Sequence, residues 1–402
     1  METAAQTARS GNDSRGLIRV LGRTGLIHWR QGNYTESAAV YGEALELLAG
    51  GADWSAEEGG IRYGLGILHR QQGKFVEARQ ELEAALALAR RLENRPEEAK
   101  ILAALATVAH LYRRDYSAAL AYNQHALEIR RTIGDRAGEG ASLLALGQTY
   151  SGQGSYAEAI AAFQRALAVQ QSLGNRWWEA IVWNMLGIGH MLIGNFQEAH
   201  SALTTALTIV KEIGAEVGEA YIQVNLGQIL RDTGDMAGAE AAFAVGLNFA
   251  ILRQDRQLEA ICHSDLALLR MLQKEYGQAI EAAQQAQMLY SEIGTPYPAT
   301  ADITTLARAS LALGRLTEAA AFADQALALL NECADEGVDF PHRDYWYCAE
   351  VLLAAGRPAD AANAKSAARR LLQGKAEKIS DPLLRASFLE NVSFNREIWA
   401  AI

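Results

Sequence analysis

The chain has 402 residues and a net charge of −10, a balance that favours solubility and argues against a general binder of nucleic-acid phosphates. Its three cysteines, Cys262, Cys333 and Cys348, include no C-x-x-C pair, so they indicate neither a disulfide framework nor a zinc site and fit a reducing, cytoplasmic compartment. Six prolines, abundant Ala and Leu and sparse β-branched residues favour helix almost throughout.

Residues 1–16, METAAQTARSGNDSRG, are small and polar and read as a disordered N-terminal segment without a signal peptide. No run of eighteen apolar residues follows, so no membrane span is expected. The N-x-[ST] sequons at Asn12, Asn33 and Asn391 are then chance occurrences.

From Gly32 onward one short pattern recurs: Gly32-Asn-Tyr34, Gly73-Lys-Phe75, Arg114-Asp-Tyr116, Gly154-Ser-Tyr156, Gly194-Asn-Phe196, Gly234-Asp-Met236, Lys274-Glu-Tyr276, Gly314-Arg-Leu316 and Gly356-Arg-Pro358. The interval is 40 or 41 residues until the last step of 42. In the fourth occurrence Gly152, Gly154 and Ala157 also fit the dinucleotide fingerprint G-x-G-x-x-A, but the preceding GEGASLLALGQTYS is helical where that fingerprint needs a strand. Nine occurrences at fixed spacing are structural punctuation, not a cofactor site.

Each unit reads as two helices around a tight turn. In the fourth, Leu146, Gly147 and Tyr150 lie before Gly154, while Ala159, Phe163 and Ala166 recur after it at i, i+4, i+7 on one apolar face. The last of these positions holds Ala44, Ala85, Ala126, Ala166, Ala206, Gly246, Ala286, Ala326 and Ala368, small residues that let neighbouring helices approach closely. Gly134-Asp-Arg and Gly174-Asn-Arg supply a helix-stopping glycine and a polar N-cap between units. The final stretch from Lys375 does not fit the repeat, and Asp381-Pro382 is a favourable helix start.

The pattern resembles the tetratricopeptide repeat, W-x2-L-G-x2-Y, then G, then A-x3-F-x2-A. The fifth unit carries Trp183, Leu186, Gly187, Gly194, Ala199 and Ala206, with His190 and Leu203 in place of the aromatics. The period is 40 rather than the usual 34, as in repeat families that resemble kinesin light chain. The opening unit and the closing segment are similar to those of arrays that follow the NTPase module in bacterial multidomain (STAND-type) signalling ATPases and related transcriptional regulators. The resemblance implies an all-α, right-handed superhelical solenoid of about nine helix-turn-helix repeats. Its array is expected over residues 17–374, in units of about 17–58, 59–99, 100–139, 140–179, 180–219, 220–259, 260–299, 300–341 and 342–374, with a capping helix at 375–402. It further implies a non-enzymatic sensor or partner-binding region with no cofactor, acting on a protein or peptide and attached to or associated with an NTPase module.

His28, His69, His110 and His190 occupy the repeat's usual Tyr position. Successive pairs stack roughly 10 Å apart whereas zinc needs nitrogens within about 2.1 Å, so these read as packing histidines. No H-E-x-x-H, G-x-S-x-G or G-x-x-x-x-G-K-[ST] motif is present, and the acidic residues are expected mainly on outer faces and at turns. Trp183 reads as core, and the pair Trp177-Trp178 as packing in the linker before the fifth unit.

The inner face of each first helix is the candidate binding surface. Helical spacing places Arg19, Arg23, Trp29 and Arg30 on it in unit one, Tyr63, Arg70 and Gln71 in unit two, and Gln148 and Ser151 in unit four. Units five, six and eight add Asn184, Met191, Tyr221, Asn225, Gln228, Arg231 and Arg308. Amides and arginines in an acidic protein suit a peptide, acidic or held through its C-terminal carboxylate. A solvated helix face explains the individual residues equally well. At the level of the whole chain, a small-molecule receptor for a nucleotide or lipid-like ligand and a self-assembly spacer stand as rivals. A long amide-lined groove, one enclosed pocket and an apolar outer patch, respectively, would tell these apart.

Overall fold

Helices pair in chain order. In the computed structural model, which describes residues 13–49, 54–112, 114–294, 299–332 and 340–401, α1 (Ser14–Arg30) pairs with α2 (Tyr34–Leu48), α3 (Ser55–Gln71) with α4 (Phe75–Arg91), and α5 (Arg95–Leu111) with α6 (Tyr116–Thr132). Next come α7 (Arg136–Gly152) and α8 (Tyr156–Ser172). The pairs α9 (Arg176–Leu192) with α10 (Phe196–Glu212), α11 (Glu216–Thr233) with α12 (Met236–Arg253), and α13 (Arg256–Leu272) with α14 (Tyr276–Glu292) follow. The last pairs are α15 (Ala299–Ala312) with α16 (Leu316–Glu332) and α17 (Pro341–Ala354) with α18 (Pro358–Glu377). Two short helices, α19 (Pro382–Glu390) and α20 (Ser393–Ala400), close the chain. Among the described residues there is no strand; the fold is an all-α tetratricopeptide-type solenoid. Cys333, Asn12 and residues 1–12 of the expected N-terminal segment lie outside the described residues.

The recurrent punctuation has a backbone cause. The turns take a left-handed residue, φ +79° at Gly154 and +71° at Gly194, a conformation that costs most L residues about 1–2 kcal/mol. Arg114 (φ 46°) and Lys274 (φ 64°) occupy it without glycine. Entry into the next helix is fixed by side-chain caps: Asp13, Asn94, Asp115, Asp135, Asn175, Asp235 and Asp255 each accept from the backbone N–H three residues on. The small-residue series is fully buried from Ala44 to Ala368 wherever alanine stands. Its exception, Gly246, is explained by packing: a Cβ there would lie 2.4 Å from Val224 and 3.1 Å from the Cys262 sulfur.

The chain forms two compact units, residues 1–149 and 150–402. Unit 1 is cored by Leu82, Leu102 and Leu105 and by Ile18, Tyr41 and Leu68. Unit 2 is cored by Leu203, Ile209 and Ile229 and by Phe243, Leu258 and Leu269. Burying a Leu, Ile or Phe contributes roughly 1.5–3 kcal/mol each, and every pair obtains this only from its neighbour.

Several expectations need correction. The expectation that acidic residues lie mainly on outer faces and at turns has exceptions that matter: Glu98, Glu139, Glu179, Asp265, Asp302 and Asp344 are buried. The first three form a series at the start of successive first helices, each bonded to the arginine three residues earlier, Arg95, Arg136 or Arg176. Paired in this way, and lying at the positive end of a helix, a carboxylate tolerates burial; the R-x-x-E spacing at the repeat interval was the missed signal. Trp177 and Trp178 belong to the first turn of α9, not to a linker, and both are exposed. Helix α12, which mixes Ala with Phe, Leu, Ile and Val, is long and apolar enough to cross a membrane by length and composition; its buried face, Ala239, Phe243 and Ala250, packs within the stack. The first helix starts at Ser14, and the closing segment comprises two helices.

Candidate functional site

The first helices of unit 2 carry one register position through Asn184, Asn225 and Asp265, spaced 41 and then 40 residues apart. Their side chains meet their neighbours in adjacent pairs. Asn225 Nδ2 donates to Asn184 Oδ1 at 2.8 Å. Gln228 Nε2 and Arg231 Nη1 both donate to Asp265, each at 2.7 Å, and Arg231 Nε reaches Asp232 at 2.8 Å. Burial pushes the Asp265 carboxyl up against the opposing pull of Arg231 and Gln228, while its two carboxylate partners hold Arg231 firmly charged.

A second cluster follows on α15 and α17. Arg343 Nε donates to the fully buried Asp344 at 3.0 Å, and its guanidinium lies 5.1 Å from the Phe340 ring and 5.7 Å from that of Phe394. Arg308 stacks 3.8 Å above Tyr347 and is 3.7 Å from Glu350. Ser264 donates to Asp302, whose carboxyl burial holds well above the usual carboxylate range.

These groups surround a cavity of about 500 Å³ within unit 2, inside the ~300–1,000 Å³ range of small-ligand sites. Asn225, Gln228, Arg231, Asp265, Arg308 and Arg343 form its polar side; Met191, Leu192, Phe196, Leu268, Tyr347 and Phe394 are among its apolar lining. Such a surface can satisfy amides and charges of a compact ligand while burying its apolar side chains.

Of the residues singled out from sequence, Asn225, Gln228, Arg231 and Arg308 converge here, with Ser151 and Met191. Asn184 supports Asn225 from behind. Tyr221 donates its hydroxyl to Asp255 at 3.0 Å, and burial together with that carboxylate pushes its pKa up to about 12. The others belong to unit 1. Arg19, Arg23 and Arg30 are exposed, Arg19 bonding Glu57; Tyr63 lies 4.1 Å beneath Lys100; Arg70 is half-buried and Gln148 exposed. Sequence reading missed Asp265, although it continues the Asn184–Asn225 register. It also missed Arg343, Asp344 and Tyr347, which lie in the pair displaced by the 42-residue step.

The four histidines are half-buried, with His28, His69 and His190 each keeping Nδ1 buried and unbonded. Burial lowers the pKa of His110 and His190. Trp183 packs partly buried against the Leu203 core.

The tetratricopeptide-repeat family models match residues 58–132, 108–172 and 139–212, with a further match over 23–91. No curated protein matches the sequence. Among solved structures, the apo quorum sensor NprR from B. thuringiensis is similar at 14% identity and TM-score 0.63, covering 79% of this chain and 88% of that one. A Rap protein complexed with competence and sporulation factor is similar at 15% identity and TM-score 0.56, covering 79% and 99%. A signal transduction ATPase with numerous domains and a tetratricopeptide repeat sensor, from Pyrococcus horikoshii, is similar at 15% identity and TM-score 0.53, covering 86% of this chain but 54% of that one. These likenesses concern the fold, and the repeat models show what builds it: the chain carries tetratricopeptide repeats across residues 23–212.

Proposed function

We propose that this protein is a non-catalytic recognition scaffold whose unit 2 cavity holds a short peptide. The observation that carries the reading is the conjunction of a stacked amide pair, Asn184–Asn225, with charged and apolar groups around one cavity. Asn225 and Gln228 can bond a main-chain amide on either side, since each primary amide both donates and accepts. Of the cavity arginines, Arg231 and Arg343 are closely bound to aspartates, while Arg308 holds its carboxylate more loosely at 3.7 Å. Arg308 is therefore the group to meet an acidic side chain or C-terminal carboxylate. Of the similar structures, one is described as a quorum sensor and one as a signal transduction ATPase with a tetratricopeptide repeat sensor; both support a sensor role, and the second an associated NTPase module.

The cavity's modest volume favours a second reading, a peptide-sized small molecule, over a long peptide. Native mass spectrometry of protein purified from cells, followed by calorimetric titration of the recovered ligand, separates them. A peptide of a few residues is expected, with Asn225→Ala weakening it by about 1–3 kcal/mol and Arg70→Ala, in unit 1, leaving affinity unchanged. A non-peptide ligand, or equal affinity for parent and Asn225→Ala, overturns the peptide assignment.

A further inference from the structure

The C-terminal segment does more than cover the last pair. Near its base it is firmly seated: Ile398 and Asn395 are buried, His342 Nε2 donates to Asn395 Oδ1 at 2.9 Å, Asn395 Nδ2 donates to the Phe388 carbonyl at 2.9 Å, and Phe394 packs 5.2 Å from Phe340. Its other edge returns across unit 2 to the turns of pairs roughly 200 residues earlier in the chain. Lys378 Nζ donates to the Gln153 carbonyl at 2.8 Å, Asn391 Nδ2 donates to the Gly194 carbonyl at 3.0 Å, and the Phe388 ring lies 6.0 Å from that of Tyr156.

The two edges differ in kind. The base is held by fully buried groups; at the distant edge the Phe388–Tyr156 ring contact is buried, but the two hydrogen bonds to backbone carbonyls come from the exposed Lys378 and Asn391. Contacts of this sort open locally at small free-energy cost. The distant edge is also beside the cavity. Leu192 and Phe196 flank Gly194 and line it; Val392, next to Asn391, lines it too. The Gly194–Asn391 contact thus joins two stretches of cavity wall.

We infer that α19 and the following Asn391–Val392 form a latch, hinged at the His342–Asn395 base on α20, whose contact with the Gly194 turn closes the unit 2 cavity and whose release admits the ligand. The latch regulates the site proposed above and rests on that reading for its purpose, but its motion is testable without the natural ligand. Gly194 makes the test selective. It has φ +71°, and a Cβ there would lie 2.8 Å from the Ser387 carbonyl oxygen and 2.9 Å from Asn391 Cβ. Gly174 has a similar φ of +65° with nothing within 4 Å of its Cβ position. Asparagine tolerates this backbone conformation better than most residues, so Gly194→Asn pushes against the latch while Gly174→Asn controls for backbone strain alone.

The experiment combines hydrogen–deuterium exchange over residues 383–394 with stopped-flow binding of the apolar dye anilinonaphthalene sulfonate to the full chain. In Gly194→Asn, exchange in this segment and the dye association rate should each rise about tenfold over Gly174→Asn, as expected for a local opening made easier by one lost contact set. Asn391→Ala, which adds no atoms, should move both in the same direction by a smaller factor and keeps the test valid if Gly194→Asn folds poorly. Unchanged exchange and unchanged dye entry in the folded variants would overturn the latch while leaving peptide recognition standing. Faster exchange and dye entry with no peptide recovered from cells would uphold the latch and remove the peptide.

Discussion

Arg19 in unit 1 and Arg343 in unit 2 stand at the same register of the same repeat, yet they inhabit different environments. Arg19 is 61% exposed and shares Glu57, a carboxylate of the second pair that is itself only 6% exposed, with the similarly solvated Arg15. Arg343 is 10% exposed, bonded to a fully buried aspartate and bracketed by two phenylalanine rings. The repeat fixes where a side chain points, and what surrounds it afterwards decides whether it is solvated or locked into a network. In unit 2 the surroundings are supplied by the neighbouring first helices and by α20, which bring a cavity wall over positions that would otherwise face solvent. A register-based reading therefore finds the candidates of both units with equal ease and cannot rank them.

The largest expected effect breaks this comparison directly. Replacing Arg343 by Met removes the counter-charge of a buried carboxylate and should cost about 3–5 kcal/mol. Arg19→Met, which removes an exposed arginine and leaves Arg15 bonded to Glu57, should stay within about 1 kcal/mol. Urea unfolding followed by helical circular dichroism measures both. The double variant Arg343→Met with Asp344→Leu should recover most of the loss, because removing both charges also removes their desolvation cost. Similar losses for Arg19→Met and Arg343→Met would mean the two environments are energetically alike.

The next effect concerns pH and the base of the C-terminal segment. His342 is fully buried, donates through Nε2 to Asn395, and faces the cations Lys375 and Arg343. Burial first, and then those cations, hold its pKa well below the ordinary value. The folded state therefore binds fewer protons than the unfolded chain as pH falls below about 6.5, and stability must fall with it. The limiting slope is about 1.4 kcal/mol per pH unit for one such group. His342→Gln, which keeps an N–H donor for Asn395, should flatten the decline between pH 7 and 5 relative to the parent. His110 and His190, also held low by burial, contribute slopes that this substitution leaves in place. An identical pH profile for parent and His342→Gln would contradict a neutral, buried imidazole.

Much of the fold was legible because its determinants are local and repeated. A glycine turn such as Gly154 and a small residue such as Ala206 recur in register and each dictates geometry within one helix pair. The site was legible only where it follows that register, as Asn225 and Arg231 do. Asp265 continues the register of Asn184 and Asn225 with a different side chain, so residue identity alone does not mark it as the next member of the series. The contacts Lys378–Gln153 and Asn391–Gly194 join residues 225 and 197 apart, and no periodicity of 40 encodes them. Closure of the cavity is thus a property of the stacked unit, visible only once the pairs are assembled.

The smallest effect sharpens the comparison at the turns inside the helix pairs, where, among the described residues, each unit has one non-glycine residue in the glycine position: Arg114 in unit 1 and Lys274 in unit 2. Both hold a left-handed backbone, φ 46° and 64°, at a cost that glycine avoids. Glycine also gives the unfolded chain more freedom, which offsets part of the gain. Lys274→Gly should therefore raise stability by a net of roughly 0.5–1 kcal/mol. Arg114→Gly should gain less, since the Arg114 guanidinium donates to the Tyr116 hydroxyl at 3.1 Å and that bond would be lost. Thermal unfolding of the two variants beside the parent gives the order. If Lys274→Gly melts at or below the parent temperature, the lysine makes compensating contacts at its turn, and the glycine series marks the turns for a reason other than backbone strain.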